Sequence, residues 1–325
     1  MTILLSVLGT LTVLLLAGLT LSFFWTRKLA RLGEVLTPQA GQIQVVQDGS
    51  IHYIEAGNPK KQTLVLIHGL SGQLQHFTYG LVKRLSQDHH VIALDRPGCG
   101  YSTRASDDLA TLPEQARMIA EFLTLKEAKD PVLVGHSLGG AVALAIALDN
   151  PRWIAGLALL APLTHPLRGA PDVFKPLQIR SPFVRRALAN TIAVPMAQHT
   201  ASAALTAVFA PEPCPEDFLD RAGGALGLRP KAFVAASADA VGADISIEHQ
   251  STRYGDLRTP GAILFGTDDA ILPIAEQGLS MEQYGLRCEK LDGLGHMLPI
   301  TALDDCEGFI RGVSVSTRLP ASLSS

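Results

Sequence analysis

The chain has 325 residues, 47 % of them hydrophobic, with a net charge of −3 and a pI near 6.4. That length suits one large domain with an insertion or two small domains, and the apolar fraction is ample for a core. There is no basic surplus to release counterions from a phosphate backbone, which argues against a nucleic-acid partner.

Residues Thr2 to Thr26 carry no charge, and the run ILLSVLGTLTVLLLAGLTLSFFW ends just before Arg27, Lys28 and Arg31. As a helix it would extend roughly 35 Å, enough to cross a bilayer core. Phe23, Phe24 and Trp25 suit the interface and the basic cluster suits the headgroups. A cleaved signal peptide would put the basic residues first and end on small residues. The reading is therefore an uncleaved single-pass anchor over residues 3–25 in the cell membrane, with residues 26–40 juxtamembrane. The positive-inside rule puts the basic cluster, and hence the downstream domain, in the cytoplasm. Single-span anchors with large downstream domains break that rule, so the side stays open. Gly9 and Gly18 leave room for a homodimer through the anchor, although no G-x-x-x-G is present.

QIQVV and IHYIEAG read as a hairpin around Asp48-Gly49. TLVLIHG, HVIALD, PVLVGHS and IAGLALLAP are short apolar runs of the kind buried on both faces of a sheet. Helical stretches near Gln75–Leu85, Pro113–Lys126 and Leu138–Ala147 alternate with them, which predicts a doubly wound, mostly parallel sheet. The alternation stops from about Leu163 to Leu257, an Ala- and Pro-rich stretch that reads as a helical insertion. It resumes with PGAILFGTDD, a helix near Ile274–Tyr284, RCEKLDG and a last helix near Ala302–Val313. The core is thus expected at residues 41–162 and 258–313, the insertion at 163–257 and a flexible tail at 314–325.

Gly135-His136-Ser137-Leu138-Gly139-Gly140 fits G-x-S-x-G and lies between a predicted strand and a predicted helix, the context this motif requires. Ser137 would sit on a sharp strand-to-helix turn, where Gly135 and Gly139 remove Cβ clashes and the helix N-terminus favours negative charge. A hydroxyl needs a base to take its proton. Of the 10 histidines, His296 in GLGHMLP follows the last predicted strand and is the candidate. His68, in the HG turn, reads as structural or part of an oxyanion loop, and His136 as a flank pointing away from the nucleophile. The base needs a carboxylate to hold its tautomer. Asp269 in GTDDAILP is the choice and Asp268 the runner-up, since one residue of register decides which side chain points inward. The backbone amides of Leu138 and of Leu70, in the loop after LVLIHG, are the expected oxyanion donors, by position alone.

Other signals are weak. Cys99, Cys214, Cys288 and Cys306 lie far apart with no C-x-x-C pair, so neither a zinc site nor a redox dithiol is indicated. Gly98-Cys99-Gly100 lacks the third glycine of a dinucleotide fingerprint.

The pieces HGLSG, LDRPGCGYS, GHSLGG, GTDDAILP and GLGHMLP, in this order, resemble the α/β-hydrolase superfamily over roughly residues 42–313. The order Ser137, Asp269, His296 is the one expected for that fold. The resemblance implies an α/β-hydrolase fold with a helical cap over the active site, and no metal or organic cofactor. Ser137 at the elbow separates the chain from the members that use Asp there, the dehalogenases and epoxide hydrolases. The anchor is similar to that of membrane-anchored bacterial carboxylesterase and phospholipase A-type enzymes. The expected activity is cleavage of lipid-like acyl esters, with phospholipids or lysophospholipids among the candidate substrates. A C–C bond hydrolase or perhydrolase is the alternative within the fold, and a ligand-sensing protein with a slow triad is the alternative outside catalysis.

Overall fold

A computed structural model describes residues 1–316. Among them nine strands form one mixed sheet: β1 (Gln42–Val46), β2 (Gly49–Gly57), β3 (Thr63–Ile67), β4 (His90–Leu94), β5 (Thr103–Arg104), β6 (Val132–His136), β7 (Gly156–Leu160), β8 (Gly261–Gly266) and β9 (Arg287–Leu291). Their order is β1-β2-β4-β3-β6-β7-β8-β9, with the short β5 on β2. β1, β2 and β4 pair antiparallel, and everything from β4 to β9 is parallel. β3, β4, β6 and β7 are buried along their whole length, because helices cover both faces.

The chain runs from β3 to β4 on one side and then returns to β6 on the other side of β3. This reversal is the topological switch point of the sheet, where the loops after adjacent strands diverge and leave a crevice. The loop after β3 carries Leu70 and the turn after β6 carries Ser137. The sheet order thus brings together two segments separated by more than 60 residues of sequence.

Several local expectations shift. The hairpin turn is Gln47-Asp48, with Asp48 at φ 68, while Gly49 already pairs with Val46. Gly49 is needed for a different reason: a Cβ there would lie 2.2 Å from the Thr103 carbonyl of β5. The helix expected over Gln75–Leu85 is split into Gln75–Thr78 and Leu81–Leu85. At the break, a Cβ on Gly80 would meet the Leu303 side chain at 2.7 Å. The helix expected near Ile274–Tyr284 is one α-turn, Ile274–Gln277, followed by a 3₁₀ stretch, Leu279–Tyr284. The last helix, Leu303–Ser316, runs into the segment expected to be a tail, whose remainder, 317–325, lies outside the described residues.

Between β7 and β8 no strand occurs. The segment holds helices Pro182–Leu188, Val194–Phe209, Phe218–Arg221 and Pro230–Ser251, with a π-turn at Ala189–Ala193 joining the first two into one rod. We call this segment the cap. Arg185 ties it to the core by pairing with Asp107.

The N-terminal helix is continuous over Thr2–Leu36. Its first two-thirds expose Leu4, Leu8, Leu11 and Leu15, while Thr26, Leu29 and Gly33 are buried. Ser22 and Thr26 both donate to the Thr191 carbonyl of the cap at 2.7 and 2.9 Å. Gly33 lets the helix backbone reach the cap, since a Cβ there would lie 2.4 Å from the Ala225 carbonyl. Among the described residues two helices are long and apolar enough to cross a membrane by length and composition: this one, with mean hydropathy 2.3, and the cap rod Pro182–Phe209, with 1.2. The second is tied to the domain at both ends, by Arg185 and by Phe209, whose buried ring clusters with Met297 and Ile300 of the core.

Candidate active site

Ser137 follows β6 and precedes helix Leu138–Asp149, with φ 54 and ψ −123. That left-handed backbone is strained for a residue with a side chain and persists only where the surroundings enforce it. The glycines around it enforce it: a Cβ on Gly135 would lie 2.7 Å from the Gly139 carbonyl, and one on Gly139 2.1 Å from the Ile67 carbonyl. The helix that follows is apolar on every side and wholly buried up to Leu148, so the turn has a rigid footing.

Of the two adjacent carboxylates, Asp269 is the one beside His296. Asp269 Oδ2 is 2.7 Å from His296 Nδ1, and its other oxygen accepts the Ile271 and Leu272 amides at 2.8 and 2.9 Å. Asp268 instead contacts Thr267 Oγ1 at an exposed position. An ionised Asp269 obliges His296 Nδ1 to carry the proton, which leaves Nε2 as the basic nitrogen. Among the described residues nothing bonds to His296 Nε2, and no hydrogen bond joins it to the Ser137 hydroxyl. A second buried pair, His52 Nδ1 and Asp95 Oδ2, is also 2.7 Å apart. There the other ring nitrogen is taken by the Ala40 carbonyl, so His52 has no free nitrogen with which to act as a base.

Leu70, Ser137 and Leu138 line one cavity of about 70 Å³, with Leu163, Ile271 and Leu272. Among the described residues neither the Leu70 nor the Leu138 amide has a hydrogen-bond partner. A larger cavity of about 530 Å³ shares Leu70 and Phe174 with the first and runs beneath the cap residues Leu188, Ile192 and Met196. Its wall is mostly apolar, with Ser71, Gln73 and His76 by the Leu70 loop and Thr200 of the cap as polar exceptions.

The long-range contacts that hold this site carry no local sequence signal. His136 packs against the histidine loop: its ring centroid lies 5.0 Å from that of His296, and its Nε2 donates to the His296 carbonyl at 3.0 Å. Arg96 is fully buried and donates to the carbonyls of His68 and Gly69 at 2.9 and 3.0 Å, to Gln115 at 2.6 Å and to Asp239 of the cap at 2.6 Å. His68 is held in a fixed tautomer: Nδ1 donates to Gly69 O, and Nε2 accepts from the Arg96 amide. Nothing local sets Asp239 apart from Asp244 and Glu248 on the same alanine-rich helix.

Burial holds His68 and His136 well below the usual imidazole range and pushes His76 down to about 4. An unfolded histidine takes its proton near 6.5, so between pH 6.5 and 4 the unfolded chain binds more protons than the folded one. These groups therefore contribute stability that is present above pH 6.5 and lost as the pH falls, by up to about 1.4 kcal/mol per unit per histidine. The denaturation midpoint of the detergent-solubilised protein should be clearly lower at pH 5 than at pH 7.5. An equal or higher midpoint at pH 5 would contradict the neutral buried state.

The sequence pattern of the α/β hydrolase fold matches residues 62–303. The chain belongs to the α/β-hydrolase family. Among curated relatives it is 31 % identical over 168 residues to monoacylglycerol lipase abhd6-B of Xenopus laevis, a stretch covering 49 % of this chain and 50 % of that one. It is 31 % identical over 124 residues to the uncharacterised hydrolase YugF of Bacillus subtilis, covering 38 % and 45 %. The chain spans half or less of the length of these relatives. A solved membrane phospholipase A described as a bacterial virulence factor superimposes with a TM-score of 0.62 at 22 % identity, covering 97 % of this chain and 99 % of that one. The enol-lactonase from Burkholderia xenovorans LB400 gives 0.67 at 21 %, covering 84 % and 100 %. At these identities the solved structures carry the fold, and the hydrolase character rests on the family.

Proposed function

We propose that the chain is a membrane-anchored serine hydrolase that cleaves carboxylic esters of lipid-like acyl chains. The observation that carries this reading is the Asp269–His296 hydrogen bond, with the base's free Nε2 on the loop packed against the residue before Ser137. Ser137 Oγ attacks the acyl carbonyl and passes its proton to His296 Nε2. The carbonyl oxygen becomes an oxyanion facing the Leu70 and Leu138 amides. The C–O bond to the alcohol breaks, and the alcohol leaves with the proton from His296. Water then attacks the acyl-enzyme, giving one proton to His296, and the acid departs as that proton returns to Ser137 Oγ.

The substrate class follows from the cavity and the anchor. An apolar space of about 530 Å³, which shares Leu70 and Phe174 with the smaller cavity that Ser137 lines, suits an acyl chain. An anchored enzyme meets bilayer esters, phospholipids and lysophospholipids among them, at high local concentration. The cap rod that docks on the N-terminal helix also exposes Phe183, Val184, Ile192 and Met196, which supports its lying against the bilayer. Full-length protein in detergent should cleave p-nitrophenyl acyl esters. Failure at every chain length would sink the esterase reading. The full-length chain should pellet with membranes, and a chain lacking residues 1–21, which keeps the Ser22, Thr26 and Gly33 contacts, should retain ester hydrolysis. Full-length protein left in the supernatant would sink the anchoring.

A further inference from the structure

We propose that the cap is part of the catalytic apparatus itself: two cap carboxylates, Asp239 and Glu212, act as positioning residues for the oxyanion amide and for the general base. This rests on the serine-hydrolase reading above. Neither residue touches the reacting atoms, and each works through a short chain of hydrogen bonds.

The Asp239 arm runs through Arg96. Asp239 lies on cap helix Pro230–Ser251, is fully buried, and pairs with Arg96 at 2.6 Å and with Arg104. The Arg96 fork then donates to the His68 and Gly69 carbonyls. The Gly69 carbonyl and the Leu70 N–H belong to one planar peptide, so fixing the first fixes the direction of the second. The Gly69 oxygen receives two further donors, His68 Nδ1 at 2.9 Å and the Gly72 amide at 3.2 Å. The Leu70 N–H is thus held by a guanidinium whose own orientation depends on a carboxylate in the cap.

The Glu212 arm reaches the other half of the site. Its two oxygens accept the Gly295 amide and the Thr301 hydroxyl, each at 2.8 Å. Gly295 immediately precedes His296 and is pressed against the cap backbone: a Cβ there would lie 2.2 Å from the Ala210 carbonyl. The opposite side of this loop is held by the core, through the Asp268 amide on the Leu294 carbonyl at 3.0 Å and His136 on the His296 carbonyl. The histidine loop is therefore clamped between core and cap, and Glu212 is the cap's grip on it. A cap that swings away as a rigid lid would release both the oxyanion amide and the base. Substrate must then enter with these two grips in place, from the side of the cap where Ile192 and Met196 are both exposed and in the cavity wall.

The test uses the full-length protein in detergent and four variants, E212A, E212Q, D239N and R96K. Active sites are counted by end-point titration with a fluorophosphonate, and kcat is expressed per titrated site. Glu212 is partly exposed, so E212A is expected to fold. It should lower kcat about ten- to hundredfold with KM changed less than twofold, because the base is displaced and ground-state binding is not. Affinity for a trifluoromethyl ketone, which forms a tetrahedral oxyanion, should fall by a similar factor. E212Q keeps one acceptor oxygen and should recover most of the loss. D239N and R96K should show the same pattern of lowered kcat, unchanged KM and weakened ketone binding. A purely structural role would instead reduce the number of titratable sites and leave kcat per site as in the wild type. The proposal is overturned if E212A, or either Arg96–Asp239 variant that retains titratable sites, keeps kcat per site within twofold of wild type. If neither of those two yields titratable sites, E212A decides alone. An inert wild-type protein would overturn the serine-hydrolase reading instead, which separates the two failures.

Discussion

Asp269→Asn lowers kcat by about 10⁴-fold, while Asp268→Asn leaves it within a few-fold of wild type. The asymmetry follows from two adjacent carboxylates with different partners. Asp269 Oδ2 receives the His296 Nδ1 proton, and its other oxygen accepts two backbone amides that lock the rotamer. An asparagine there would present its NH₂ group to Nδ1 or lose the amide contacts. Presenting NH₂ moves the ring proton to Nε2, the nitrogen that must be unprotonated to act as a base. Asp268 is exposed, and among the described residues its side chain bonds only to the neighbouring Thr267 hydroxyl. Steady-state kinetics on both variants, normalised to folded protein, checks the pair. A crippled Asp268→Asn beside an active Asp269→Asn would reverse the assignment.

Ser137→Ala removes hydrolysis to a residual rate at least about 10⁵-fold below wild type, with the fold unchanged. Removing the hydroxyl takes away the bond-forming atom, and the rest of the triad then has nothing to act through. Alanine still occupies the left-handed position, so the backbone strain stays and the denaturation midpoint should move little. The same variant separates catalysis from ligand sensing. In a strain lacking the gene, Ser137→Ala should fail to restore the wild-type phenotype if turnover matters. Full complementation would favour sensing.

Much of this architecture is legible along the chain, because β3, β4, β6 and β7 are buried on both faces and appear as unbroken apolar runs. The nucleophile turn is legible for a similar reason: a side chain at φ 54 between a strand and a helix tolerates only glycine two residues to either side, and that need is written locally. Asp269 could be separated from Asp268 only by the direction in which a turn points its side chains. The grips on the site are illegible in principle. Arg96 and Asp239 are 143 residues apart, and Glu212 and Gly295 are 83 apart, with neither pair in a repeating pattern. Their meaning arises only when the sheet's switch point and the cap meet. The N-terminal helix shows the same limit. Its apolar stretch is plain, but its continuation to Leu36 and the Gly33 contact depend on a cap surface encoded far downstream.

The central claim is that Ser137 forms the covalent intermediate. Full-length protein in detergent is treated with a fluorophosphonate, digested, and mapped by tandem mass spectrometry while p-nitrophenyl ester hydrolysis is followed in parallel. One adduct per chain on Ser137, formed in step with the loss of activity and absent from Ser137→Ala, is the predicted result. An adduct on another residue, or hydrolysis that persists after Ser137 is fully labelled, would contradict it.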